Sequence, residues 1–232
     1  MRKGEESRKR IIAAAEELFD RRGYANTSVQ DILDALKISK GGFYHYFETK
    51  MELLTEVCRR RTEEWYGQGV EYVRSLRVGP VEKLNETLRL MNMLDKGAPG
   101  LHGLFAELDA QGESALPRQE FRDITIKILT PLVVEILFAG MEEGEFTVRR
   151  PAETAKLLVL MALDINDEGA RMITAAGDKT EVVMDVLELL GAYRESVELL
   201  VNAPYGSIDI FDMADMVSAI TRVANAQKAT GA

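Results

Sequence analysis

Residues 27–50 read TSVQDILDALKISKGGFYHYFETK, and few folds accommodate that order. Thr27 or Ser28 can cap a helix whose apolar positions, Val29, Ile32, Leu33 and Leu36, recur at helical spacing. That helix closes at Lys37-Ile38. Ser39 then stands where a second cap would, ahead of a very short helix running through Tyr46. Two short helices joined by a tight turn make a helix-turn-helix, a motif whose second helix enters the major groove of DNA N-terminus first.

The composition of that second helix suits contact better than packing. Gly41 and Gly42 each cost about 1 kcal/mol relative to Ala inside a helix, so something outside must need to approach the backbone there. Five ring-bearing residues follow in succession, Phe43 to Phe47. Phe43 and Phe47, one turn apart, can face a core, which leaves Tyr44 and His45 pointing outward. A phenol, an imidazole, Lys40 and Lys50 around a Gly-rich helix start with free N–H groups suit a phosphate backbone.

The stretch resembles the DNA-binding signature of TetR/AcrR-type transcriptional regulators. In that family a Thr-rich cap, an Ile-Ala helix, Gly-Val-Ser and a small-residue pair precede an aliphatic-Tyr-x-(aromatic or His)-Phe-x-x-Lys-x-x-Leu run. This chain matches with Thr27-Ser28, Ile32, Ile38-Ser39, Gly41-Gly42, Phe43-Tyr44-His45-Tyr46-Phe47, Lys50 and Leu53. Two positions depart: Leu33 stands where Ala is usual, and Lys37 where Gly usually closes the first helix. Without that Gly the turn needs Lys37 in a left-handed conformation, or a different turn. An aromatic-rich hairpin inside an ordinary helical core is the alternative.

The resemblance implies an all-α homodimer in two parts. A three-helix helix-turn-helix head occupies residues 1–50. An effector-binding and dimerisation body occupies 51–206, followed by a C-terminal amphipathic helix and tail over 207–232. Carried over position by position, Gln30, Lys40 and Gly41 are candidates for base edges, and His45 for a base or the backbone. Ser28, Tyr44 and Lys50 are candidates for phosphate, and Thr27, Ser39 and Gly42 complete the DNA-binding set. The partners implied are operator DNA, a small-molecule effector and a second copy of the chain.

Charge and composition fit this reading. The net charge is −9, yet residues 1–50 carry ten Lys/Arg against eight Asp/Glu, so a head of +2 sits on a body of −11. DNA feels charge within a Debye length of about 8–10 Å, so the local balance matters more than the sum. Apolar residues make up 46% of the chain, enough for a full core. No uninterrupted run of ~20 apolar residues suggests a membrane span, and the first residues lack the apolar segment of a signal peptide. A single cysteine, Cys58, excludes an intramolecular disulfide, and the expected location is the cytoplasm.

Around the central stretch the pattern is helical throughout. Residues 7–22 form a first helix with Ile11, Ile12, Ala15, Leu18 and Phe19 as its stripe and Ser7 as a possible cap. Arg8, Lys9 and Arg10 are either solvated or against flanking phosphate. A long helix from Glu48 to about Ser75 carries Met51, Leu54, Cys58, Trp65 and Tyr72, with Gly67 and Gly69 suggesting a bend and Arg59-Arg60-Arg61 a solvated face. Further helices are expected over 81–94, 101–110 and 117–143, the last kinked at Pro131. Two long ones follow over about 152–176 and 179–202, then an amphipathic one from Ile208 to about Asn225.

In the body, Trp65, Met93, Leu104, Phe105, Leu108, Phe121, Ile124 and Met161 are the expected lining of an effector pocket, since Met and aromatic side chains line adaptable cavities. The expected dimer interface is Leu158, Met161, Ile165, Val183, Val186, Leu190, Tyr193 and Val197. His45 and His102 lie too far apart in sequence to suggest a zinc site or a catalytic triad, and no Walker-type or dinucleotide-type glycine loop is present. No cofactor and no enzymatic activity are therefore expected. Two other classes share parts of the pattern: a ligand-independent DNA-binding organiser, and an all-helical enzyme or carrier of a lipophilic small molecule.

Overall fold

The computed structural model describes residues 3–91, 101–175 and 179–210. The expected helix from Ile208 to Asn225 and the last three residues of the helix expected over 81–94 therefore lie mostly or wholly outside the described residues, among them Met93. Nine helices and no strand occur among the described residues. They are α1 (Lys3–Arg22), α2 (Val29–Leu36), α3 (Lys40–Tyr44), α4 (Lys50–Ser75), α5 (Pro80–Met91), α6 (Leu101–Gln111), α7 (Ala115–Glu142), α8 (Pro151–Ala175) and α9 (Lys179–Val201). The all-α expectation holds. The helices sort into two packed units, Met1–Glu64 with Ala98–Ile124, and Trp65–Gly97 with Thr125–Ala232.

In the first unit α1 begins earlier than the sequence suggested, so Ser7 lies inside the helix and is not its cap. Ile11, Ile12, Ala15 and Phe19 are buried while Leu18 is half-buried. The helix stops at Gly23, whose φ of +81° is open to glycine at little cost. The arginine run of α4 is not simply a solvated face. Arg60 pairs with Glu16, Arg61 with Glu16 and Asp20, and Arg59 with Glu56 and Glu63. Arg8 joins in, donating to Glu56 at 2.9 Å with its guanidinium 5.2 Å from the Phe47 ring centre. The run thus ties α4 to α1. On α6 and the start of α7, the Phe105 and Phe121 rings meet edge to face at 5.6 Å. Arg118 stacks over Phe105 at 4.8 Å and pairs with Asp109.

The second unit begins at Trp65, within α4. That helix runs unbroken through Gly67 and Gly69. A β-carbon at Gly69 would meet Leu90 of α5 at 2.8 Å, so this glycine admits a close helix crossing rather than a bend. The buried side of α4 differs from the stripe read in the sequence. Leu54, Cys58, Thr62, Tyr66, Val70 and Val73 are buried, while Tyr72 is 49% exposed. Tyr66 and Thr125 bury their hydroxyls together, and desolvation holds the phenol well above its usual pKa.

α7 is long and apolar enough by composition to cross a bilayer. Its apolar length is accounted for by Leu129, Leu132, Val133, Ile136 and Leu137, all buried, and Glu135 pairs with Arg74. Pro117 sits in its first turn, where no intrahelical N–H bond is lost, and the helix continues past Pro131.

α8 and α9 pack along each other, and α5 packs on α8. Asn166 Nδ2 donates to the carbonyls of Met91 at 2.9 Å and Ala162 at 2.7 Å. The polar Asp164–Glu168 cluster thus contributes a bond between helices. Residues after α9 return along α5. Glu198, 4% exposed, accepts the N–H groups of Gly206 and Ile208, and Asn85 brackets Ser207 and Asp209.

Candidate nucleic-acid interface

The head is built by local rules. Ser28 caps α2 in a full capping box, its hydroxyl accepting the Asp31 N–H while the Asp31 carboxylate accepts the Ser28 N–H at 2.8 Å. Those hydrogen bonds from Ser28 hold the Asp31 carboxyl below the usual carboxylate range, helped by Arg22. At the other end Lys37 adopts φ 54°, ψ 45°, the left-handed geometry its place in the motif requires. Ile38 then returns its N–H to the Leu33 carbonyl at 3.1 Å. Ser39 caps α3, accepting the Gly42 N–H at 3.2 Å. α3 is shorter than expected, because residues 45–46 form a turn after Tyr44.

Phe43 and Phe47 are fully buried and anchor the motif. Outward of them stand Tyr44, 51% exposed, with exposed His45, Gly41, Lys40 and Ser39. Ser28 and Gln30 are exposed on α2, and the Gln30 amide donates to Asp34 at 2.7 Å. Gly42 is half-buried. A β-carbon at Gly41 would meet only the Ser39 hydroxyl, at 3.9 Å, and one at Gly42 the same hydroxyl at 3.5 Å. These are ordinary contacts, so nothing among the described residues requires either glycine. Beside them opens a cleft of about 420 Å³, walled by Ser7 and Arg10 of α1, by Gly41 and Gly42, and by His45. Arg10, which the sequence left as one of three basic candidates, is the one placed on this cleft.

Two members of the expected DNA-binding set are used internally. Thr27 is 1% exposed, with its hydroxyl donating to the Gly23 carbonyl at 2.8 Å, so it shapes the turn before α2 and has no surface to offer. Lys50 turns its ammonium inward, donating to the carbonyls of Tyr24 at 2.7 Å and Thr27 at 2.9 Å. It also lies 3.8 Å from the centre of the Tyr24 ring. Desolvation there pulls the Lys50 pKa down, opposed by the charges of Glu113 and Glu107. In this structure its ammonium clamps the α1–α2 turn. Sequence reasoning also missed Glu107 of α6, whose carboxylate accepts the N–H groups of Tyr24 at 3.2 Å and Ala25 at 2.7 Å. No local signal marks it, because its partners lie more than eighty residues upstream.

The other expected sites are distributed differently. Leu104, Phe105, Leu108, Phe121 and Ile124 are all buried in the first unit, with Phe105 of α6 against Phe121 of α7, while half-buried Trp65 and Met161 belong to the second. The expected dimer stripe is largely internal to one chain. Leu158, Val186, Leu190, Tyr193 and Val197 are all buried, and the Tyr193 hydroxyl donates to the Leu158 carbonyl at 3.2 Å. Met161, Ile165 and Val183 are half-buried. Left exposed on α8 and α9 are Leu157 at 49%, Met184 at 55%, Leu199 at 82% and Leu200 at 37%.

Residues 11–57 match the family described as bacterial regulatory proteins, tetR family. An HTH-type transcriptional regulator encoded in the lacX 3' region of Lactococcus lactis is 33% identical over 82 residues, 35% of this chain and 42% of that protein. The chain thus spans less than half the length of that relative. The transcriptional repressor KstR2 of Mycolicibacterium smegmatis is 26% identical over 139 residues, covering 60% of this chain and 67% of the repressor. Among solved structures, RolR in complex with its ligand resorcinol superposes with a TM-score of 0.56 at 20% identity, covering 95% of each chain.

Proposed function

We propose, from the match of residues 11–57 to the tetR family of bacterial regulatory proteins, that this chain is a homodimeric, DNA-binding transcriptional repressor released from its operator by a small molecule. The observation that carries the DNA-binding part is the pair Gly41-Gly42. The two glycines weaken α3, meet no crowding among the described residues, and stand beside exposed Lys40, Tyr44 and His45. A helix core has no use for that arrangement, whereas a duplex edge approaching the backbone does. In this reading Gln30, Lys40, Gly41 and His45 face bases, and Ser28, Ser39 and Tyr44 face phosphates.

One head reads only a few base pairs, so two copies engage half-sites about one helical turn, ~34–36 Å, apart. The second copy is placed in this reading against α8 and α9, which is supported by the exposure of Leu157, Met184, Leu199 and Leu200 there. The repressor sense and the effector follow KstR2, named a repressor, and RolR, whose fold this chain shares and which holds resorcinol. The effector must prefer one spacing of the heads, because a ligand with equal affinity for both shifts nothing. Such a protein acts in the cytoplasm and catalyses no reaction.

The test is selection of duplexes from a random pool by the full chain, followed by gel shift. Enrichment of a two-fold symmetric duplex is expected, with Gly41→Trp losing it while keeping its helical content. Absence of any enriched duplex would refute the reading. Release of that duplex by compounds from a metabolite panel separates a ligand-responsive repressor from a ligand-independent organiser.

A further inference from the structure

We propose, resting on the DNA-reading role above, that Glu107 of α6 is a positioning residue for DNA recognition: its carboxylate fixes the turn that launches α2, so the placement of α6 sets the placement of the reading pair. Gly23 leaves α1 in the left-handed region, which turns the next two N–H groups, those of Tyr24 and Ala25, to one side. Both are taken by the one carboxylate of Glu107. The carbonyls of Tyr24 and Thr27 are taken by Lys50, at the first turn of α4. The turn is therefore held on its donor side by an acid and on its acceptor side by a base, and α2 starts directly after it at the Ser28 cap.

The carboxylate suits this place better than a neutral group would. It accepts two N–H bonds at once, which an amide oxygen flanked by its own donor does less well. Its charge also favours the ammonium of Lys50 across the turn. Gly23 accommodates it closely, since a β-carbon there would lie 3.3 Å from Glu107 Oε1. α6 in turn is located by α7, through the Phe105–Phe121 ring pair and the Arg118–Asp109 ion pair. The contacts in this route, from Arg118 and Phe121 in the first turns of α7 to α6 and to the turn before α2, lie inside the first unit. Ala25 is exposed, so water can replace the carboxylate on its N–H at small cost in folding. What Glu107 adds is the position of the turn.

The experiment compares the full-length chain with Glu107→Gln, using the duplex that the wild type enriches from a random pool and an unrelated duplex of equal length. Three further readouts accompany affinity: salt dependence, melting temperature, and amide hydrogen exchange at Tyr24 and Ala25. The expected result is a loss of about tenfold for the enriched duplex, the scale of one charge-assisted hydrogen bond. Affinity for the unrelated duplex, the salt slope and the melting temperature stay unchanged, because no phosphate contact is removed, and exchange at Tyr24 and Ala25 accelerates. Unchanged affinity for the enriched duplex overturns the proposal. So does an equal loss on both duplexes with a lowered melting temperature, which would make Glu107 a stability residue only. A pool with no enriched duplex sinks the DNA-reading role and the proposal together, whereas an enriched duplex bound equally by both proteins sinks the role of Glu107 alone.

Discussion

The ring of Phe146 fills the space where Gly140 would carry a β-carbon. Phe146 comes from the turn after α7, is 3% exposed, and sends its N–H to the Gly140 carbonyl at 3.0 Å. Thr147 then donates to the Val201 carbonyl at the end of α9. Gly140→Ala should therefore overpack this corner, with a loss on the order of 1–3 kcal/mol although Ala is the better helix former. A denaturant titration measures it, and a stabilised variant would show that the ring has room to move.

Lys50 offers a direct test of an internal role. Lys50→Ala is expected to weaken binding to the enriched duplex while leaving the salt slope unaltered, because the ammonium is held by two carbonyls. A slope flatter by about one unit would instead return Lys50 to the phosphate backbone.

Acid should act through Glu56. Desolvation pushes its pKa up, but hydrogen bonds and charge from Arg59 and Arg8 prevail and bring it down to about 2 from 4.5. The folded-state pKa lies below the unfolded one, so the unfolded chain binds the proton first as pH falls. The stabilisation is present above about pH 4.5 and lost on the way to about pH 2. Unfolding midpoints for wild type and Glu56→Gln measured across that window should converge towards its acid end. Parallel curves would remove Glu56 from the acid response.

Charging the buried α8–α9 stripe and charging its outer face should have opposite outcomes. Leu190→Glu with Val197→Glu puts two carboxylates into the core of the second unit and should abolish folding of that unit. Met184→Glu with Leu199→Glu alters only exposed positions and should leave a folded chain with weakened self-association. Light scattering with circular dichroism distinguishes them. Folded monomers from the first pair would restore the stripe as the interface between copies.

How far the sequence could be read follows from where each residue finds its partner. Ser28, Lys37, Ser39 and the two glycines were legible because a cap, a left-handed turn and a bare helix start are decided within four residues. Phe43 and Phe47 followed from helical spacing alone. The internal bonds of Thr27 and Lys50 were not legible because the carbonyls they bond become accessible only once the turn at Gly23 is made. Arg60 and Arg61 looked solvated for a similar reason, since Glu16 lies over forty residues upstream. The α8–α9 stripe was correctly apolar, but periodicity shows that a face is buried and not against whom. Gly69 read as a weak point of α4 because Leu90, the side chain that needs its missing β-carbon, is on another helix.

The clasp of Glu107 on Tyr24 and Ala25 also bears on protein engineering. A chimera that carried over only the stretch matching the family model would be spliced near residue 57. A graft cut there would leave the carboxylate that steadies its own α1–α2 turn behind in the donor. The transplantable module of this protein is discontinuous: residues up to 64 together with 101–124, or a shorter graft whose new host supplies an acid at the place of Glu107.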